Sequence, residues 1–526
     1  MIRVGGIKLP LSYTEQDLRA AVVKKLGVSQ KRITACSLFK RSVDARRGTV
    51  SFEVTAAVEL VGEDDFLKQC RVNGVAKLLP TVVEIPTVTA PKHRPVVVGS
   101  GPAGLFAALI LAKAGACPLL IERGRPVEQR QADVEQFRRT GVLNVHSNVQ
   151  FGEGGAGTFS DGKLNTGIKD PLCRFVLEEL VKAGAPDEIL WQAKPHVGTD
   201  RLCGAVKRLR EQIIELGGEV RFETAVTDMV IENGKLTGLE LNGDATIPCE
   251  HAIFAIGHSA RDTVEMLYRR GLPMEKKPFA VGVRVEHPRR DIDRARYGAA
   301  AGHPALGAAD YKLVSHLKDG RGVYTFCMCP GGVVIAAASE EGGVAVNGMS
   351  EFARDAENSN SALLVGVSVE DMVGDSPLAG IALQRQMEQA AYALGGGGYR
   401  APVQLVGDFL RDRASVSLGE VNPSYKPGVT LADLRGCLPK FVAASLKEAL
   451  PLFGRQLQGF DRYDAVLTGV ESRSSSPVRL LRNENGQSTI AGVYPCGEGA
   501  GYAGGITSAA VDGIRCAKWV LENLQK

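Results

Sequence analysis

The sequence lacks the marks of a membrane protein, a secreted scaffold or a general polyanion binder. No apolar run reaches the roughly 20 residues that cross a bilayer; the longest strongly apolar stretch lies around Ala103–Ala112. The opening Met1-Ile2-Arg3-Val4-Gly5-Gly6 has no apolar core of the signal-peptide kind. Charge of one sign is not in excess: 63 basic and 59 acidic residues leave +4, too little for a polyanionic partner of the whole chain. Eleven cysteines are present, without the even, short spacings of a disulfide framework. The expectation is a cytoplasmic protein with no membrane partner. At 526 residues it should hold two to four domains.

What is there begins with Val96-Val97-Val98-Gly99-Ser100-Gly101-Pro102-Ala103-Gly104, then an apolar helix pattern and Leu119-Leu120-Ile121-Glu122-Arg123. This reads as a buried parallel strand, a tight turn, a helix and a second strand with an acid at its end. Gly99 allows the turn, Gly101 leaves room for a pyrophosphate, and Gly104 lets the helix pack close to the strand. The helix start offers free N–H groups to phosphates, and Glu122 stands where a ribose hydroxyl is gripped. A bound dinucleotide follows from this context.

Residues 1–90 form a separate unit. Arg3–Leu9, Arg32–Ser42, Thr49–Val61 and Ala76–Ile85 read as strands, Thr14–Leu26 (Thr14 as N-cap) and Glu63–Cys70 as helices. The order βαββαβ is the split ferredoxin-like plan. Its first 48 residues carry eleven Lys/Arg against three Asp/Glu, which raises RNA binding as a reading. The third strand, Arg47-Gly48-Thr49-Val50-Ser51-Phe52-Glu53-Val54, has Thr49, Ser51 and Val54 where stacking aromatics belong, so nucleic acid is disfavoured and the expectation is a solvated face or one that contacts a protein partner. The proline-bearing stretch Thr87–Arg94 is the expected linker.

Further on, the glycine run Phe151–Lys163 cannot be a regular helix or central strand and suits close approach of backbone to a flat or charged ligand. Asp200–Leu216 is an amphipathic helix. Glu219–Glu223, Val226–Glu232, Leu236–Leu241 and Thr246–Cys249 are short strands with turns at Asn233-Gly234 and Asn242-Gly243, and His251–Ile256 is a parallel strand returning to the nucleotide sheet. In the next unit, strands are expected at Phe279–Glu286, Tyr311–Ser315, Gly322–Met328 and Val333–Ser339, and helices at Ser376–Gly395 and Leu438–Leu450, with Gly395–Gly398 a helix stop. Gly492–Glu498 is a late strand ending in a glycine–acid pair, and Gly499–Gly505 leads into a long helix from Ile506.

Three glycine-bearing elements, at Gly99–Gly104, Phe151–Lys163 and Gly497–Gly505, suit one extended cofactor, FAD. Glu498 would accept from a ribityl hydroxyl, and the helix after Gly505 would face the flavin edge that gains negative charge. On Gly99–Gly104, Phe151–Thr166, Lys194–Asp200, Ala255–Thr263, Lys277–His287, Tyr324–Gly332, Asn347–Ser350, Glu471–Arg479 and Gly497–Ser508, the chain resembles a bacterial family of NAD(P)/FAD-dependent oxidoreductases, also called uncharacterised FAD-dependent dehydrogenases. The resemblance covers nearly the whole chain. It implies an α/β fold: a Rossmann-like FAD-binding domain with an inserted α+β substrate domain and an N-terminal ferredoxin-like α+β domain. The expected division is 1–90; 91–276 with a β-meander at 224–249; an insert at 277–457; and 458–526 returning to the FAD domain.

The cofactor-binding set expected on these grounds starts with Gly99, Gly101, Pro102, Ala103, Gly104, Glu122 and Arg123. It continues through Gly155, Ala156, Gly157, Thr158, Ser160, Gly162 and Lys163, and then Val226, Ala255 and Gly257. Gly497, Glu498, Gly505 and Ile506 complete it. FAD is expected to be non-covalent. No second strand–G-x-G-x-x-G–helix unit occurs, which disfavours the disulfide reductases that carry two such folds and leaves NAD(P)H as at most a transient reductant. The candidate redox residues are Cys327 and Cys329, at i and i+2 on one strand and so on one face; a disulfide between them would need a bend. No metal site is expected. His258 and Arg261 could touch cofactor or substrate, with Asp262 and Thr263 capping a helix, and Arg473 reads as an anion-holding arginine. The function expected is oxidation or reduction of a small molecule. The rivals are an RNA-modifying flavoenzyme and a flavin-bound scaffold without turnover.

Overall fold

The computed structural model describes residues 1–46 and 48–525, so Arg47 of the third-strand motif lies outside the described residues. The N-terminal unit contains β1 (Ile2–Leu9), α1 (Glu15–Leu26), β2 (Ile33–Asp44), β3 (Ser51–Leu60), α2 (Glu63–Gln69) and β4 (Val75–Lys77). Its antiparallel sheet has the order β2-β3-β1-β4, the ferredoxin-like arrangement. Thr14 caps α1 through a reciprocal box: Asp17 N–H donates to the Thr14 hydroxyl, and Thr14 N–H donates to the Asp17 carboxylate at 2.8 Å. Leu18, Val22 and Leu26 turn the helix's apolar stripe onto the sheet. Val54, one of the positions tested for base stacking, is fully buried in that core. The strand expected at Ala76–Ile85 stops at Lys77, because Pro80 and Pro86 remove ladder donors and the chain runs on irregularly. The unit docks on the rest through β2: Arg41 N–H donates to Trp191 O at 2.7 Å, and its guanidinium lies 4.6 Å from the rings of both Phe52 and Trp191.

The nucleotide domain runs through β5 (Val96–Val98), α3 (Pro102–Lys113), β6 (Leu119–Ile121), α4 (Val127–Thr140), α5 (Leu172–Lys182), α6 (Thr199–Glu215) and β7 (Glu219–Arg221). A meander of β8 (Val226–Glu232), β9 (Lys235–Leu241) and β10 (Ala245–Pro248) follows, then β11 (Ala252–Phe254) and α7 (Arg261–Arg269). Asn233 and Asn242 take positive φ (51° and 52°) ahead of Gly234 and Gly243, the hairpin geometry their sequence calls for. The short strand expected at Glu219–Glu223 is the edge strand β7 of the parallel sheet, beside β6. That sheet's order is β23-β11-β5-β6-β7, its first member coming from the far end of the chain. Alternation along each strand sends Val97, Leu120 and Ile253 to the helical face, and Val98, Ile121 and Phe254 to the face covered by the meander and α7.

The insert follows β12 (Met274–Lys276) and comprises β13 (Phe279–Pro288), α8 (Arg289–Tyr297), β14 (Val314–His316), β15 (Gly322–Cys329), β16 (Val333–Ala336), β17 (Val346–Met349), β18 (Asn358–Val367), α9 (Ala379–Leu394), β19 (Ala401–Leu405), α10 (Val406–Leu410), β20 (Val429–Leu431), α11 (Lys440–Gln456) and β21 (Val466–Glu471). Its seven-stranded sheet has the order β14-β15-β18-β13-β21-β19-β20. The expected boundary at 457 is therefore too early: β21 lies between β13 and β19, and the chain leaves the insert only after Glu471. The central strand β18 escapes pattern reading because it opens Asn-Ser-Asn-Ser, like a turn. Those residues are buried inside, where Arg284 donates to Asn360 Oδ1 and the Tyr311 and Ser361 hydroxyls share a hydrogen bond. The chain returns through β22 (Val478–Leu480), which pairs antiparallel with β12, then β23 (Val493–Pro495) and α12 (Ile506–Leu524). Among the described residues no helix is long and apolar enough to cross a membrane.

Helices α3 and α12 cross at a point where Gly513 faces the backbone of Ala103: a Cβ there would lie 2.0 Å from Ala103 O. Gly513→Val should force the helices apart, at a cost of ~1–3 kcal/mol for overpacking. The check is a lowered midpoint of thermal unfolding relative to the unsubstituted chain.

Candidate active site

One cavity of about 480 Å³ runs between the nucleotide domain and the insert, within the usual range for a small-molecule site. Its walls come from the C-terminal ends of β5, β6 and β11, where a doubly wound sheet places its ligand, from the glycine loop after α4, from the start of α12, and from β15. Helices α3 and α12 both begin at glycines that border this space, Gly101 and Gly505, and neither has a side-chain cap. Their free N–H groups and positive dipole ends therefore face one elongated space.

The glycines explain how backbone comes so close. Gly99 has φ +98°, and any Cβ there would lie 2.5 Å from Ala255 O. A Cβ on Gly104 would lie 1.8 Å from Gly99 O, so α3 starts directly above the turn. Gly155, at φ +63°, would bring a Cβ within 3.0 Å of the Gly101 Cα, which brings the glycine loop to the fingerprint turn. Gly504 and Gly505 face open space. Bare N–H donors, backbone walls without side chains and an acid at the end of β6 form a donor set that fits a dinucleotide with a pyrophosphate at its middle.

Of the expected cofactor residues, Gly99, Gly101, Pro102, Ala103, Glu122, Arg123, Gly155, Ala156, Gly157 and Ser160 border the cavity, as do Lys163, Val226, Ala255, Gly257, Glu498, Gly505 and Ile506. Gly104, Thr158, Gly162 and Gly497 stand behind the wall. Thr158 is fully buried, Gly162 abuts Gly198, and Gly497 N–H donates to Asp512 at 2.7 Å. Glu122 is already engaged: one carboxylate oxygen accepts from Ser100 N–H and hydroxyl, the other from Gly124 and Gly152 N–H, at 2.7–3.0 Å. It ties both glycine turns to the end of β6. Arg123 stacks on Phe151 at 4.5 Å and donates to Asp262 and Thr263, so those two residues hold an arginine rather than cap α7, whose N-cap is Ala260.

At the insert end lie groups that sequence pattern did not single out: Asp161, Asn347, Arg354 and Glu471. Glu471, Asp161 and Asn347 each lie in a signature stretch, Glu471–Arg479, Phe151–Thr166 and Asn347–Ser350, while Arg354 had no such signal. Lys163 pairs with Asp161 at 2.7 Å and donates to Met328 O. Burial works against the ionised Asp161, yet Lys163 and Arg354 hold its carboxyl at about 2. Arg284, fully buried, reaches both oxygens of Glu471 at 3.0 Å and also the Cys327 carbonyl and the Cys329 sulfur. Burial still pushes the Glu471 carboxyl up to about 7. Cys327 borders the cavity, whereas Cys329 is fully buried behind it. They do not share a face through plain strand alternation. β15 is bulged between Phe326 and Cys329, and Cys327 has φ +40°.

Arg261 lies behind the cavity wall, whereas Arg473 borders the cavity and holds an anion there, the Glu388 carboxylate. Both guanidinium groups grip the buried Glu388 carboxylate at 2.8–3.0 Å, Arg261 from the nucleotide domain and Arg473 from the chain's way back out of the insert. His258 borders the cavity 3.9 Å from Glu498. Burial, with Arg473 and Arg261, lowers its imidazole to about 3, and burial raises Glu498 to about 7. Among the described residues, the one cluster with metal-ligand spacing is Cys496, Asp512 and Cys516, and Arg482 already occupies both Asp512 oxygens.

Burial alone would raise the Glu388 carboxyl, but the two arginines hold it well below the usual range. Its stabilising contribution is thus complete above the unfolded value of about 4.3 and fades as pH falls below that. Glu388→Gln, which leaves the two buried guanidinium groups with only the partly exposed Glu340 as counter-charge, should cost about 3–5 kcal/mol at pH 7. Denaturant unfolding of both proteins checks it, and the difference should narrow below pH 4.

A family described as FAD-dependent protein, C-terminal domain-like, matches residues 278–474, and a domain of unknown function matches residues 1–59. A Clostridium beijerinckii protein described as uncharacterized is 50% identical over 527 residues, 99% of this chain and 98% of that one. Among solved structures, a flavin-dependent brominase aligns at TM-score 0.38 and 14% identity over 82% of this chain and 79% of its own. A geranylgeranyl bacteriochlorophyll reductase-like protein of Thermoplasma acidophilum aligns at TM-score 0.35 and 14% identity, over 84% and 80%. At 50% identity over nearly the whole of both chains, this chain belongs to the same family as that uncharacterized Clostridium protein, and its insert matches the C-terminal domain of FAD-dependent proteins.

Proposed function

We propose that the chain holds FAD non-covalently in the interdomain cavity and oxidises or reduces a small molecule admitted against the insert, in the cytoplasm, with NAD(P)H as a transient reductant. The observation that carries this reading is the pair of uncapped helix starts, Gly101 and Gly505, facing one cavity whose far wall is the insert's β15. When bound, FAD supplies two-electron redox chemistry.

The chain's own residues do the rest. The N–H groups at the start of α3 would hold the pyrophosphate, with Gly155, Ala156 and Gly157 closing over it. Val226 and Ile121 wall the ribose end, where the Ser100 hydroxyl would have to release Glu122 for that acid to take a ribose hydroxyl. Glu498 would take a ribityl hydroxyl. The start of α12 would stabilise negative charge at the reducible ring. The Lys163–Asp161 pair and Asn347 would orient the substrate at the insert end, and the Glu388 clamp keeps insert and sheet together so that water is excluded.

Purified protein should be yellow and release an adenine-containing flavin on denaturation. FMN alone would overturn the dinucleotide assignment, and flavin left on the precipitated chain would overturn non-covalent binding. Gly101→Val, at a position of ordinary φ whose Cβ would come no closer than 3.9 Å to backbone, should keep the fold and lose the flavin. Anaerobic bleaching with a metabolite panel, NADH and NADPH identifies the reductant; a flavin that none of them bleaches removes the oxidoreductase reading.

A further inference from the structure

Resting on the oxidoreductase reading above for its electron supply, we propose that Cys327 and Cys329 are a redox-active dithiol that exchanges with a small disulfide, Cys327 as the attacking sulfur and Cys329 as the resolving one.

Four observations converge on the pair. The bulge at the end of β15 inserts one residue: Phe326 pairs with Ala362 and Cys329 with Asn360, so three steps on β15 meet two on β18. It holds Cys327 at φ +40°, a strained conformation for a non-glycine residue of the kind that collects at functional sites. In that arrangement the Cys329 S–H donates to the Cys327 carbonyl oxygen at 3.3 Å, which turns its sulfur back toward Cys327. The two sulfurs differ in access, since Cys327 borders the cavity and Cys329 has no exposed surface. Finally, the Lys163 ammonium and the Arg284 guanidinium flank both, with Arg284 3.6 Å from the Cys329 sulfur. The neighbouring Cys329 thiol outweighs burial and, with these cations, favours the Cys327 thiolate; the Cys327 sulfur and burial in turn push the Cys329 thiol up. A thiolate beside cations at a cavity wall is the setting of a reactive cysteine, whereas structural cysteines sit in apolar surroundings.

The exchange balances as follows. The Cys327 thiolate attacks one sulfur of the substrate disulfide, forming a mixed disulfide and releasing one substrate thiolate. The Cys329 sulfur then attacks Cys327, closing a Cys327–Cys329 disulfide, and the second substrate sulfur leaves with the Cys329 proton. The substrate gains the two electrons that the cysteines lose. Return to the dithiol needs two electrons and one proton, from a reduced flavin in the family's chemistry or from dithiothreitol in the test tube.

The test uses the full-length, flavin-loaded protein, reduced with dithiothreitol, desalted anaerobically and mixed with 5,5′-dithiobis(2-nitrobenzoate). Expected is a fast phase releasing two thionitrobenzoates per chain, with the 327–329 peptide recovered as an internal disulfide that resists alkylation. Cys329→Ser should stop after one release with the reagent attached to Cys327, and Cys329→Ala serves as the second variant if serine disturbs the buried site. Cys327→Ser should abolish the fast phase. Lys163→Gln should move the pH midpoint of the fast phase upward, since removing a cation disfavours the thiolate. A fast phase retained in Cys327→Ser, or a peptide alkylated at both cysteines after exposure to the reagent, overturns the proposal. The same measurement on flavin-stripped protein separates the two readings: exchange persists there if the dithiol is real, while the oxidoreductase reading stands or falls with the flavin and its bleaching.

Discussion

The absence of a side chain at Gly104 is the constraint from which the site follows. Because α3 rests on the carbonyl of Gly99, its first N–H groups emerge at the end of β5 with no side chain in front of them. Gly513 repeats the constraint on the other side, letting α12 lie against Ala103 so that its own uncapped start opens into the same cavity. Two positive helix ends are thereby aimed at one volume, a costly arrangement without an electron-rich ligand and a favourable one with it.

A second requirement is that the insert be held rigidly over the sheet. It is attached by two passes of the chain, which pair with each other as β12 and β22, and it is locked by one carboxylate between two arginines. Buried ion pairs of this kind add little net stability over apolar packing, but they are unforgiving of a lost partner. They therefore favour one orientation of the insert, and with it one distance between the helix starts and β15. Glu471 reaches the cavity for a related reason: β21 pairs with β13 and so presents its last residue to Arg284 on that strand.

The insert end of the cavity concentrates charge inside the protein. Asp161, Lys163, Arg284, Arg354 and Glu471 would each be expensive to bury alone, and their mutual pairing offsets that cost. Their fields act on whatever else is there, and the two sulfurs of β15 are there. A strained, bulged strand end beside such a cluster is a departure from regular geometry of the kind that gathers where chemistry is done.

Sequence alone determined the nucleotide end. Gly99, Gly101 and Gly104 act through local backbone geometry, so their spacing carries their meaning, and the ferredoxin-like order of the first unit follows from local periodicity and turns. The late return of the chain was legible as well, because Gly497–Ile506 again joins a strand end to a helix start. Tertiary structure alone decided the other end. That β21 belongs to the insert, that Asn358–Ser361 form a buried central strand, and that Arg261 and Arg473 clamp Glu388 all depend on partners far off in the sequence, 76 residues for Arg284–Asn360 and 127 for Arg261–Glu388. The roles of Glu122, now tied to two glycine turns, and of Cys327, turned to the cavity by a bulge, likewise emerge only when distant backbone packs against them, because side-chain function at those positions is set by neighbours the local pattern does not encode.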